Sequence, residues 1–197
     1  MSVIVAIKEK GTVYLGADCQ TTTGSYKTIS ANESAVKIIK MPNGVLAGFC
    51  GRVAAKQGIL AMDNLFSLDE NGSLTKEHIV TQIIPRILNK LDVFGDEETG
   101  ELEVSIILAH KDRLYRICKD LSVIKYNDYT SSGAGRDFTL YSIESTRSQP
   151  VKDRIISALW ESAKRCDSVC PPFILIDTKN LEYEIYGKEE TVNDNCN

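Results

Sequence analysis

The sequence predicts an α+β fold, a four-layer αββα sandwich, and three observations carry that prediction. Strand-like and helix-like segments follow one another in blocks: strands, two helices, strands, two helices, strands. Short β-branched runs such as SVIVAIKE and TVYLGADC supply the strands of antiparallel sheets. The helical segments each carry one apolar stripe, which needs a sheet to pack on. Two antiparallel sheets face to face, with a helix pair outside each, would bury all of these surfaces. With 43% apolar and 25% charged residues in 197, the chain is read as one domain, 1–197, with one good core.

The segments SVIVAIKE and TVYLGADC are β-rich and meet at Lys10-Gly11, a hairpin signal. YKTISA, AVKIIKM and GVLAGFCG follow, the last two separated by Pro42-Asn43-Gly44, so the first quarter reads as a largely antiparallel sheet. From Val53, VAAKQGILAMDNLFSL reads as a helix despite Gly58. A second helix follows Thr75, with Ile79, Ile83, Ile84, Ile87, Leu88 and Leu91 on one stripe and a kink expected at Pro85. DVFGDEETGE is acidic and aperiodic, an exposed loop.

Strands return in VSIILAH, RLYRICK and LSVIKYN. SSGAGRDF then leads into a helix to about Ser145. Pro150 opens another, along which Val151, Ile155, Ile156, Leu159, Trp160 and Ala163 face one way. PFILIDT and LEYEIYG close the sheet, and EETVNDNCN is a polar tail.

Composition excludes several classes of function. A net charge of −4 with scattered basic residues lacks the footprint of a nucleic-acid binder. No apolar run approaches the roughly 20 residues of a membrane span, and no signal peptide opens the chain, so a cytoplasmic protein is expected. The six cysteines read as reduced thiols, Cys19 and Cys50 as buried ones. Cys166 and Cys170 lack zinc-knuckle spacing and a nearby histidine, and no metal is expected. His78, in a helix, and His110, at a strand end, lie near neither a GxSxG elbow nor an HExxH pair, and there is no phosphate-binding GxxxxGK[ST] loop.

The remaining chemistry sits at the start. Removal of Met1 would expose Ser2, a hydroxyl with its own α-amino group, whose pKa of about 7.7 to 8 suits it as a base. Asp18 and Lys37 are opposite charges that a folded sheet could bring to that end. Taken singly each has an ordinary reading: a common second residue, a turn aspartate and an exposed strand lysine.

Their surroundings resemble a family. Ser2-Val3-Ile4-Val5-Ala6-Ile7, Gly11, Leu15-Gly16-Ala17-Asp18, Thr22-Thr23-Gly24, Val36-Lys37 and Ala47-Gly48-Phe49-Cys50-Gly51 resemble the opening fifty residues of proteasome β subunits and of the bacterial peptidase HslV. The resemblance implies an N-terminal-nucleophile peptidase. In it Ser2 is the nucleophile and its amine the base, Asp18 and Lys37 are the charged pair, Gly51 N–H is the oxyanion donor, and Asp167 completes the catalytic set. Thr21, Thr22, Ile39, Phe49 and Val53 would line the substrate pocket, expected to be apolar, without a carboxylate or a lysine, and to favour large apolar residues. It further implies polypeptide substrates, a homo-oligomeric ring, a separate ATPase unfoldase and no cofactor. Ala134 and Cys170 depart from the family pattern, each standing where it has a serine, and Pro171 and Pro172 replace glycines. Two other readings therefore stand beside the peptidase: a small-molecule amidase on the same fold, and a non-catalytic ring or scaffold subunit.

Overall fold

The structure is a computed structural model that describes residues 2–23, 26–29, 36–91, 95–96 and 98–187. Gly24, parts of YKTISA, AVKIIKM and the acidic loop, and the tail EETVNDNCN lie outside the described residues.

Two five-stranded antiparallel sheets form the centre. In the first, β1 (Val3–Glu9) lies between β2 (Thr12–Asp18) and β10 (Tyr129–Gly133), and β2 continues to β11 (Phe173–Asp177) and β12 (Glu184–Tyr186). The second runs β5 (Ile38–Lys40), β6 (Leu46–Gly51), β7 (Val104–His110), β8 (Arg113–Ile117) and β9 (Val123–Tyr126). A two-stranded hairpin, β3 (Gln20–Thr23) and β4 (Tyr26–Ile29), stands apart. The first quarter is thus divided between both sheets and this hairpin, rather than forming one sheet, because β5 and β6 pair away from β1 and β2.

The helices are α1 (Val53–Leu60), α2 (Lys76–His78, Ile79–Ile83 and Ile84–Leu88 in succession), α3 (Arg136–Ser145) and α4 (Val151–Ala163). Strand alternation explains the layering. Along β1, Val3, Val5 and Ile7 pack with Ile155 and Leu159 of α4, while Ile4 and Ala6 turn to the inter-sheet core. Along β7, Ile107 and Ala109 share that inter-sheet core, and Ile106 and Leu108 meet Ile59, Ile83 and Ile87 of α1 and α2. The continuous apolar strand segments are those with a helix layer on one side and a sheet on the other.

Two expectations need correction. The α1 helix ends at Leu60 and not near Leu68; Asn64 takes a positive φ, and the turn folds Leu65 and Phe66 back into the core. At Pro85, where a kink is expected, the Ile84 N–H reaches back to the Ile79 carbonyl, a π-turn that makes room ahead of the proline ring. Leu88, placed on the buried stripe, is exposed, as Trp160 partly is. Thr75 caps α2 by accepting the His78 N–H at 3.1 Å.

Strand β10 was not anticipated. Its YTSSG sequence is polar, yet Thr130, Ser131 and Ser132 are buried. Ser131 donates to the Ile4 carbonyl at 2.9 Å and meets Thr139 Oγ1 at 2.6 Å, which satisfies its hydroxyl inside the sheet–helix boundary.

Candidate active site

The pairing of β1 with β2 and with β10 fixes the surroundings of Ser2. The Ser2 carbonyl accepts the Ala134 N–H at 2.8 Å, and Val3 stands opposite Gly133. Gly133 has φ +102°, and a Cβ there would lie 2.0 Å from the Ser2 oxygen, so only glycine admits this approach. On the other side Asp18, the last residue of β2, accepts the Val3 N–H at 2.9 Å through Oδ1 and the Gln20 N–H at 3.1 Å through Oδ2. The same Oδ2 lies 2.6 Å from Lys37 Nζ.

This pair is almost wholly removed from water, with side-chain exposures of 6% for Lys37 and 0% for Asp18. The ordinary readings, a turn aspartate and an exposed strand lysine, therefore do not describe them. The contact is a buried ion pair. Burial raises the Asp18 carboxyl above the usual carboxylate value, opposed by the Lys37 charge and by the Val3 and Gln20 N–H groups. Lys37 is itself locked in register, since its carbonyl accepts the Phe49 N–H at 2.8 Å.

Ser2 and Lys37 open onto a cleft of about 60 Å³. Thr21, Thr22, Phe49, Gly51 and Val53 line it too, as do three residues the sequence reading missed, Gln20, Lys56 and Val104. Gly51 ends β6 with φ +149°, and a Cβ there would sit 2.2 Å from the Glu103 carbonyl oxygen; the close approach of β7 requires glycine. Phe49 is buried and its ring packs on Phe66 at 6.1 Å.

Two assigned residues stand elsewhere. Ile39 does not line the cleft; it packs into the cores around Phe49 and Cys19. Asp167 does not line it either. Its backbone carbonyl accepts from Gln20 Nε2 at 3.1 Å and from Lys27 Nζ at 3.0 Å, so it meets the wall of the site through its main chain.

The expectation of a pocket without a lysine is corrected by Lys56. It lies one helical turn after Val53 on α1, so both side chains share the face toward the cleft. Its Nζ donates to the Val36 carbonyl at 2.6 Å. Burial first, and then the Lys37 charge, push the Lys56 ammonium below the ordinary lysine value. No pattern in the sequence marked it, because which face of α1 looks at Ser2 depends on how the helix docks.

The neighbouring thiols are poor nucleophiles. Burial pushes Cys50 up to about 12 and Cys19 up to about 11, and the Asp18 charge also raises each. No group of three or more metal-ligating side chains occurs among the described residues, and no helix there is long and apolar enough to cross a membrane. A larger groove, about 840 Å³, lies on the outer face between α3 and α4, but it lacks the buried ion pair and the glycine-lined backbone found beside Ser2.

Comparison with solved structures gives the same architecture. The chain is similar to Thiobacillus denitrificans BPH in complex with epoxomicin, at 17% identity and a TM-score of 0.71 over 89% of this chain and 97% of that one. A second BPH structure from that organism gives 18% identity, a TM-score of 0.71 and coverage of 89% and 96%. Eukaryotic HslV from Trypanosoma brucei gives 17% identity and a TM-score of 0.68, covering 89% and 98%. No curated protein matches the chain. The sequence model of the family described as proteasome subunit matches residues 2–166, most of the chain, beginning at Ser2 and ending one residue before Asp167. The chain belongs to the proteasome-subunit family.

Proposed function

We propose that the protein is an N-terminal-serine peptidase that cuts polypeptides once Met1 has been removed. One observation carries this reading: Asp18 joins the backbone N–H of Val3 to the ammonium of Lys37, so that a buried, oriented cation stands beside Ser2 in the same cleft. The freed Ser2 amine takes the proton from Oγ, and Oγ attacks the substrate carbonyl. The positive charge of Lys37 favours the neutral amine and the developing alkoxide, and the Gly51 N–H stabilises the oxyanion. The amine then protonates the leaving amine, and water resolves the acyl-enzyme by the reverse sequence of proton transfers. Serine supports this attack as threonine would, though without the β-methyl that restricts χ1. Family membership supports a ring of identical subunits enclosing the Ser2 sites, fed with unfolded chains by a separate ATPase.

The second reading, a non-catalytic ring subunit, draws on Ala134, which offers Ser2 only its backbone N–H, and on Cys170. Intact-mass measurement separates the two. A chain lighter by one methionine, modified at Ser2 by a peptide-based electrophile, is the result expected of the peptidase. Retained Met1 with no adduct would place the protein with the non-catalytic subunits.

A further inference from the structure

The cleft beside Ser2 is electrostatically unbalanced. Among the described residues its charged lining is two lysines, Lys37 and Lys56, with no carboxylate. Lys37 is neutralised by Asp18 at 2.6 Å. Lys56 forms no ion pair among the described residues; its partner is the neutral Val36 carbonyl, which occupies one of its three donors. Glu103, the neighbour of Val104, is held by Arg52 at 2.7 Å. Among the described residues Lys56 therefore has no counter-ion and two further donors in a partly desolvated place, where an arriving anion gains more than it would in water.

We propose that the cleft selects an acidic side chain, aspartate or glutamate, at the residue preceding the scissile bond, with Lys56 as its counter-ion. The inference rests on the peptidase reading for its chemistry, but the charge selection belongs to Lys56. Thr21, Thr22 and Gln20 add polar groups to one wall, while Phe49, Val53 and Val104 contact the side-chain methylenes. A basic side chain would face two ammonium groups, and an apolar one would leave Lys56 without a counter-ion. The lowered affinity of Lys56 for its proton, caused by burial and by Lys37, is what an approaching carboxylate would reverse.

The test compares kcat/KM for matched fluorogenic peptides with glutamate, leucine or arginine ahead of the reporter, in wild type and in Lys56→Met, Lys56→Arg and Lys56→Glu. The expected result is a glutamate-over-leucine ratio of about ten in wild type, as for a close charge pair in a partly buried site. Lys56→Met should abolish that ratio, Lys56→Arg should keep it, and Lys56→Glu should move the preference to arginine. A wild-type preference for leucine or arginine, or a ratio untouched by Lys56→Met, would overturn the proposal. Calorimetric binding of N-acetyl tripeptide acids to Ser2→Ala separates this from a failure of the peptidase reading. Tighter binding of the glutamate-ended acid, lost in Ser2→Ala/Lys56→Met, upholds the selectivity even if wild type proves inactive, and equal binding of glutamate- and leucine-ended acids overturns it.

Discussion

Removing both members of the Asp18–Lys37 pair should damage the fold less than the two single removals summed. The two side chains are 0% and 6% exposed and 2.6 Å apart, so either charge left alone is buried without compensation. Breaking such a pair costs about 3 to 5 kcal/mol. Lys37→Met strands the Asp18 carboxylate, which still holds the Val3 and Gln20 N–H groups. Asp18→Ala strands the ammonium and also leaves those two N–H groups without an acceptor, at about 1 to 3 kcal/mol each. Asp18→Asn keeps an acceptor and should fall between wild type and Asp18→Ala. In Asp18→Asn/Lys37→Met no unpaired charge remains, and about 2 to 3 kcal/mol of the summed single losses should be recovered. Urea unfolding reads this directly: at a slope of about 1 to 3 kcal/mol per molar, each single variant should lose roughly 2 M in midpoint. If the double variant loses the plain sum of the two singles, the residues do not interact and the reading of the site as one electrostatic unit is wrong.

Gly133→Ala should cost at least about 2 kcal/mol and reduce any turnover together with stability, because its Cβ meets the Ser2 backbone oxygen at 2.0 Å; Gly72→Ala, also at positive φ but with open space around it, should cost only about 1 kcal/mol, and equal midpoints would refute the close approach. His110 is buried beside Lys111 and Arg113, and burial first, then those charges, lower its affinity for a proton. Since the unfolded chain binds that proton near pH 6.5 and the folded chain only at lower pH, stability should fall as pH drops from 6.5 through the folded value, and His110→Gln should flatten that slope in unfolding midpoints measured at pH 7.5 and 5.5.

The layers of the fold were legible because burial on two faces leaves a plain mark. Val3 to Ile7 and Ile106 to Ala109 are apolar at every position, and each alternates between a helix-facing and a sheet-facing core in the structure. Strand β10 was hidden because its burial is served by hydrogen bonds rather than by apolar side chains, with Ser131 and Thr139 satisfying one another. The length of α1 was overread because Leu65 and Phe66 carry a helical spacing that the turn at Asn64 uses for a different purpose. At the site, Asp18 and Phe49 lie on strands of fixed register, and the structure places the first beside Ser2 and the second on the cleft wall. Ile39 was misplaced because β5 turns it into the core, and Lys56 was missed because the docking of α1 is a tertiary matter.

The central claim is that Ser2 is the nucleophile, and hydrolysis of a fluorogenic peptide by processed wild type and by Ser2→Ala tests it most directly. Turnover by wild type, turnover retained or raised in Ser2→Thr, and background rates in a Ser2→Ala protein whose unfolding midpoint is unchanged are the expected results. Equal turnover by wild type and Ser2→Ala would contradict it.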